Sequence, residues 1–273
     1  MVDPDPDDWR KPSLEVLGPD LLRVTSRERA MSLALPWILV ALFFWTGSRG
    51  WWPLTILSAM AHSFFTYGSV SHDLVHRTLR LPAWLNETLL FAIEASGFRS
   101  GHAYRFTHLH HHQTFPDPDD VEARAARYGW LGALLDGVVA QPRLWLWAVR
   151  RASGPQRGWI AAEGLTVLLL AGVCLGSIPW TRLPAAYLIL MLLGSWIFPL
   201  VTVFLPHDAA GRTALTQTRL FRGRILSWLA FDHLYHLEHH MYPQVPHQRW
   251  AELARRLDPY LKAEDVKPFV LWR

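Results

Sequence analysis

The sequence predicts an all-α integral membrane protein with four transmembrane helices arranged as two hairpins. Three observations carry this expectation: charge-free stretches of bilayer length, basic residues confined to one side, and Trp residues, four of the 15, placed where the chain must turn. The 273 residues are 51% hydrophobic and only 18% charged, against roughly 25% charged in soluble domains. A chain this apolar is not a disordered tail. Its mean hydropathy of +0.08 is too low for a chain that lies wholly in the bilayer. The composition therefore asks for a few spans and a sizeable polar part.

Residues 30–48, 50–71, 164–181 and 183–206 contain no Asp, Glu, Lys or Arg, each about the 17–25 residues that a helix needs to cross the hydrocarbon core. Arg49 separates the first two and Arg182 the last two, so each pair is expected to be a tight hairpin. Trp45, Trp51, Trp52 and Trp180 stand at the tips, where interfacial aromatics collect. Pro36, Pro53 and Pro199 are tolerable there because neighbouring helices satisfy the carbonyls they free.

Two hairpins leave the N-terminus, residues 72–163 and residues 207–273 on one side. Every one of the 27 Lys and Arg except Arg49 and Arg182 falls in those three segments. The positive-inside rule then makes that side cytoplasmic. The net charge of +4 and the pI near 9.5 are thereby explained by a membrane surface, and nucleic acid is not an expected partner. Residues 3–8 are acidic and broken by Pro4 and Pro6, which reads as a solvated tail and not a signal peptide. The stretch 128–149 is rich in Trp and Leu but holds Asp136, Pro142 and Arg143, so an interfacial helix is expected. In 247–257, Trp250, Leu253 and Leu257 recur at helical spacing and should pack on the core or the bilayer.

The single Cys174 excludes a disulfide framework and a cysteine-based metal site. Histidine is the anomaly: there are 14, and all but His62 lie outside the apolar stretches. His72 and His76 stand at i, i+4 on one helix face. His108, His111 and His112 form an i, i+3, i+4 trio on one face, with His110 pointing elsewhere. His236, His239 and His240 repeat the trio. One such set is a common surface accident; three together suggest ligands. His207 closes the fourth apolar stretch as His72 closes the second, which marks it as a ninth candidate. His62 is expected to be a hydrogen-bonded core residue. Eight or nine imidazoles exceed what one tetrahedral zinc takes and suit two ions with about four each. Imidazole accepts Fe, Zn, Cu or Ni, so the donor set does not choose the metal.

The three boxes, His72-Asp73-x-x-His76, His108-x-x-His111-His112 and His236-Leu237-Glu238-His239-His240, resemble those of the membrane fatty acid desaturase superfamily. The likeness extends to the box order, the two hairpins, the acidic run Asp117-Pro118-Asp119-Asp120 and the Tyr242-Pro243 stretch. The superfamily includes acyl desaturases and hydroxylases and the carotenoid ketolases and hydroxylases. The resemblance implies a helical cytoplasmic cap that carries the metal site, and a di-iron centre held by His72, His76, His108, His111, His112, His236, His239 and His240, with His207 as the additional ligand. It implies O2 as co-substrate and a separate electron donor of ferredoxin or cytochrome type.

On this reading residues 30–260 form a desaturase-like membrane domain, between a cytoplasmic tail over 1–29 and a C-terminal tail over 261–273. The protein is expected to be a multi-pass component of a bacterial inner membrane with a cytoplasmic active site. A fatty acyl chain is the expected lipid substrate. A carotenoid is the alternative, favoured by the Leu205-Pro206-His207 ending. Asp73, Asp117, Asp119, Asp120, Asp232 and Glu238 are the carboxylates available to orient the histidines. A zinc-dependent membrane hydrolase is the alternative of another class, but it needs fewer histidines.

Overall fold

The structure, a computed structural model, describes residues 9–223 and 233–270. It is mostly helical. After the short helix α1 (Leu14–Leu17), α2 (Ser26–Ser48) begins with a reciprocal cap. The Glu28 N–H donates to Thr25 Oγ1 at 3.2 Å, and the Thr25 N–H donates to Glu28 at 2.8 Å. This satisfies two of the orphan donors of a helix start. A tight turn at Arg49 leads into α3 (Trp52–Phe65). The Thr46 and Thr55 hydroxyls meet at 2.9 Å and pin the hairpin, while Trp45 and Trp51 pack edge to face at its tip.

Helix α3 passes through a π-helical turn, Thr66–Val70, into α4 (Ser71–His76). Such turns reorient the face that follows them and often stand at functional sites. Here the turn leads into the first histidine pair. Gly68 lies in it, and a Cβ there would sit 1.3 Å from His233 Nε2. The missing side chain is the space that the imidazole occupies. Then come α5 (Ala83–Ser96), α6 (Gly101–Thr114), α7 (Trp130–Arg151), α8 (Gly154–Gly176) and α9 (Leu183–Trp196). A second π-helical turn, Pro199–Phe204, follows α9 and leads to His207. Beyond it are α10 (His236–Met241) and α11 (Trp250–Ala263), with a two-residue parallel pairing of Phe221–Arg222 on Phe269–Val270.

Among the described residues, three helical segments are long and apolar enough to cross a membrane: Pro19–Ser48, Gly154–Gly176 and Leu183–Phe204. The expected second span, 50–71, is not among them. Its side chains explain this: Thr55, Ser58, His62, Ser63 and Thr66 are all buried in the bundle, so the segment is too polar by composition. His62 is the expected core residue, its Nε2 lying 3.1 Å from Ser96 Oγ. The third helix starts at Gly154, ten residues before the expected 164. The expectation stopped at the charge of Glu163, but that carboxylate is fully buried and accepts hydrogen bonds from Ser100 Oγ and the His102 N–H.

The stretch expected at the interface is α7, which is amphipathic. Trp130, Leu131, Leu135, Val138 and Val139 are exposed on one face, and Ala133, Gly137, Ala140 and Ala148 are buried on the other. The buried residues are small because the neighbouring helices come close: a Cβ on Gly137 would lie 1.8 Å from the Trp196 carbonyl oxygen. Trp250, Leu253 and Leu257 on α11 are buried as their spacing predicts. They pack with Leu17, Leu21, Leu237, Met241 and Tyr242 into one apolar cluster. That cluster ties the N-terminal segment to the helix of the third box, and Tyr242 Oη donates to the Pro12 carbonyl at 2.7 Å.

Candidate metal centre

Helix α4 carries His72 and His76, α6 carries His108, His111 and His112, and α10 carries His236, His239 and His240. His207 follows the second π-helical turn, and its Nδ1 donates to the Val203 carbonyl at 2.8 Å. Their rings form two groups. His72, His76, His108, His112 and His239 make the first, and His111, His207, His236 and His240 make the second. Within each group the candidate ligand atoms all lie within 4.8 Å of one another. The groups adjoin, with the His112 and His240 ring centroids 4.4 Å apart.

Each trio lies on one helix face, as its spacing predicts, yet is divided between the two groups. His108 and His112, one turn apart, enter the first group while His111 enters the second. The third box is its mirror: His236 and His240 enter the second group and His239 the first. Side chains at i and i+4 are nearly in line on a helix of 3.6 residues per turn, whereas i+3 is rotated to the other side of that line. With a group lying on either side, the two neighbours diverge. His110 joins neither group, and its ring lies 4.9 Å from Trp147.

The nitrogens converge in a way that hydrogen bonding does not explain. In the first group Nε2–Nε2 separations are 3.0 Å for His72–His239, 3.1 Å for His72–His108 and 2.8 Å for His112–His239. In the second they are 2.9 Å for His111–His207, 3.1 Å for His207–His236 and 3.0 Å for His236–His240. A neutral imidazole has one N–H. His108 and His111 direct Nδ1 at Glu122 and Asp120, at 2.8 and 2.6 Å, and His207 spends Nδ1 on a carbonyl that can only accept. The Nε2 of His207 is therefore a bare lone pair, with the Nε2 atoms of His111, His236 and His240 crowded around it. His76 Nε2 is buried with no hydrogen-bond partner at all. A cation inside each group turns this repulsion into coordination, so these residues fit a pair of metal ions.

Electrostatics agree with that fit. Burial, followed by mutual repulsion, holds His72, His108, His112, His236, His239 and His240 well below the ordinary imidazole range. Burial likewise lowers His207, and lowers His76 to about 4. All are neutral at pH 7, as ligands must be. Burial alone would lower His111 too, but the hydrogen bond and charge of Asp120 outweigh it and raise this group.

Of the six carboxylates picked out from sequence, Asp120 meets a box histidine. Asp73 instead accepts from His247 Nδ1 at 2.6 Å and from Thr78 Oγ1 at 2.8 Å. Glu238 pairs with Arg222 at 2.6 Å. Asp117 caps the Asp119 N–H at 2.9 Å, and Asp119 itself is exposed. Asp232 lies outside the described residues. Glu122, on His108, escaped the sequence reading although it stands two residues past the acidic run. Also unforeseen is His102, which lies between Glu163 at 2.7 Å and Glu87 at 2.9 Å and stacks flat on Trp159. It joins α5, α6 and α8 around the second box.

Aromatic rings close the site elsewhere. Trp250 stands edge-on to His72 with centroids 5.3 Å apart, Tyr104 lies 5.3 Å from His108, and Phe115 lies 4.8 Å from His207. A cavity of about 510 Å³ reaches His112 and His240, one member of each group, past Trp9, Lys11, Thr218 and Met241.

A family model described as Fatty acid desaturase matches residues 49–272, and the chain belongs to that family. None of the curated proteins compared matches it. Membership makes the chain a membrane oxidoreductase.

Proposed function

We propose that this desaturase-family chain uses O2 to desaturate or hydroxylate a fatty acyl chain at a centre of two irons. The observation that carries the reading is the convergence of nine histidines into two adjoining groups, the candidate ligand atoms of each lying within 4.8 Å of one another. Iron bound there would supply the reduction of O2 and the oxidising power to take hydrogen from an unactivated C–H bond. The proposed ligands are His72, His76, His108, His112 and His239 for one ion and His111, His207, His236 and His240 for the other.

The protein's own part is positional. Largely enclosed imidazoles, all but His111 held below their ordinary range, offer lone pairs without first losing a proton, Asp120 and Glu122 fix ring orientation, and Trp250, Tyr104 and Phe115 keep water from most of the site. Rate then depends on holding one C–H bond within contact of the oxidant. Desaturation takes two hydrogens from carbon and, with two electrons and two protons from outside, converts O2 to two waters. Hydroxylation places one oxygen atom in the C–H bond and, with the same two electrons and two protons, releases the other as water. A separate ferredoxin- or cytochrome-type carrier is the proposed source of electrons.

The proposed membrane arrangement keeps the two hairpins, with 50–71 crossing as the fourth span among its more apolar neighbours. Residues 72–163 and both termini face the cytoplasm of a bacterium as the cap that carries the metal site. Residues 30–260 are the proposed membrane domain, with 1–29 and 261–273 as its tails. The one-sided Lys and Arg support this sidedness.

Expression in a carotenoid-producing host, with mass spectrometry of acyl lipids and pigments, tests the reading. A new double bond or hydroxyl on an acyl chain supports it. A ketolated or hydroxylated carotenoid shifts it to the alternative that the Leu205-Pro206-His207 ending favours. Anaerobically purified protein holding one zinc and consuming no O2 makes it a hydrolase.

A further inference from the structure

Residues 120–123 form one short turn packed against α6, and this turn meets both histidine groups. Asp120 Oδ2 accepts from His111 Nδ1 at 2.6 Å, and Glu122 Oε1 accepts from His108 Nδ1 at 2.8 Å. His111 belongs to the four-histidine group and His108 to the five-histidine group. Asp120 is buried and Glu122 largely so, with side-chain exposures of 0% and 9%. They differ in how many oxygens are committed. The second oxygen of Asp120 accepts the N–H groups of Glu122 and Ala123, each at 3.0 Å, and so caps the turn that carries Glu122.

We propose that Asp120 and Glu122 are positioning residues for different metal ions, so that the two sites of this centre are emptied separately from a single turn. The proposal rests on the reading of the two groups as metal sites. An imidazole whose Nδ1–H is held by a carboxylate keeps its Nε2 lone pair pointed inward and is a stronger donor. Loss of such a partner weakens metal affinity about 10- to 100-fold. Glu122 therefore serves the five-histidine site and Asp120 the four-histidine site.

The oxygen usage predicts an asymmetry between amide replacements. Glu122→Gln keeps one amide oxygen, which is all that His108 Nδ1–H requires. In Asp120→Asn one end becomes NH2. If the oxygen goes on capping the turn, the NH2 meets the His111 N–H, donor against donor. Glu122→Gln is thus conservative and Asp120→Asn is not.

The test is anaerobic Fe(II) titration of the purified full-length chain, with bound iron counted after gel filtration. That filtration also reports whether each variant is folded and monodisperse. The wild type should hold two irons, Glu122→Ala one, Glu122→Gln two and Asp120→Asn one. Backgrounds lacking ligands of one site identify which ion is lost. Added to His72→Ala/His76→Ala, which leaves the five-histidine site three donors, as His236→Ala leaves the other, Glu122→Ala should remove nothing further; added to His236→Ala it should leave no iron. Asp120→Asn should behave in the opposite way.

A wild type that takes fewer than two irons overturns the metal reading and this proposal with it. A wild type at two irons with Glu122→Ala also at two and no weaker overturns the proposal alone. So does a Glu122→Ala change that strips iron from the His72→Ala/His76→Ala background, because a general loss of fold, not the positioning of His108, would then be the cause.

Discussion

Acidifying the metal-free protein should unfold it within about one and a half pH units below 6.5. Eight of the nine clustered histidines, all except His111, have their folded-state values pushed down from 6.5. A group depressed in the folded state contributes stability that is present above its unfolded value and is lost as pH falls toward the folded value. The window therefore opens at 6.5 and runs down to about 4, the value for His76. His111 is raised, so below 6.5 it is protonated in both states and adds no slope.

With eight imidazoles neutral when folded and free to protonate when unfolded, linkage removes about 7 kcal/mol by pH 6 and about 11 kcal/mol by pH 5.5. A folded domain commonly has about 5–15 kcal/mol in total. The midpoint should then fall between about pH 5 and 6. Thermal unfolding of chelator-treated protein in detergent, followed by Trp fluorescence from pH 8 to 5, measures it. Protein reloaded with Fe(II) should hold to lower pH, because the metal binds only the neutral ligands of the folded state. A melting temperature unchanged between pH 7 and 5 in the metal-free protein would refute the reasoning, for it would mean that the histidines are not packed together until metal arrives.

Other outcomes follow from the same geometry. His110→Ala should keep both irons and full turnover, whereas His111→Ala and His236→Ala should abolish turnover; an inactive His110→Ala beside an active His111→Ala would overturn the register of the second box. His207→Ala removes one of only four donors to its ion and should lower iron to about one per chain, read by metal analysis. Gly137→Ala drives a methyl into the Trp196 carbonyl, an overpacking expected to cost about 1–3 kcal/mol and to appear as a lower melting temperature with iron stoichiometry unchanged. A topology reporter fused after Arg151 should score as cytoplasmic, and an external signal there would dismantle the hairpin arrangement.

Much of this protein is written in local pattern. Freedom from charge over bilayer lengths marked three of the helices now seen; helical spacing selected eight histidines, and the end of an apolar stretch a ninth, that the fold gathers into two groups. These are properties of one helix at a time, so sequence suffices for them. The same locality explains the errors. Glu163 ended a helix on paper because a lone charge reads as a boundary, yet in the bundle Ser100 and His102 neutralise its cost and α8 runs through it.

Partition of the histidines was decided only in three dimensions. Within α6 alone, His108, His111 and His112 share a face, and nothing in the helix says which ion each one meets. That depends on α4 arriving on one side and on α10 and His207 arriving on the other, positions set by packing between residues 36, 96 and 129 positions apart. Glu122 and His102 were invisible for the same reason. An acid or an imidazole carries no sign of its partner until tertiary contact removes water and leaves one group able to satisfy it.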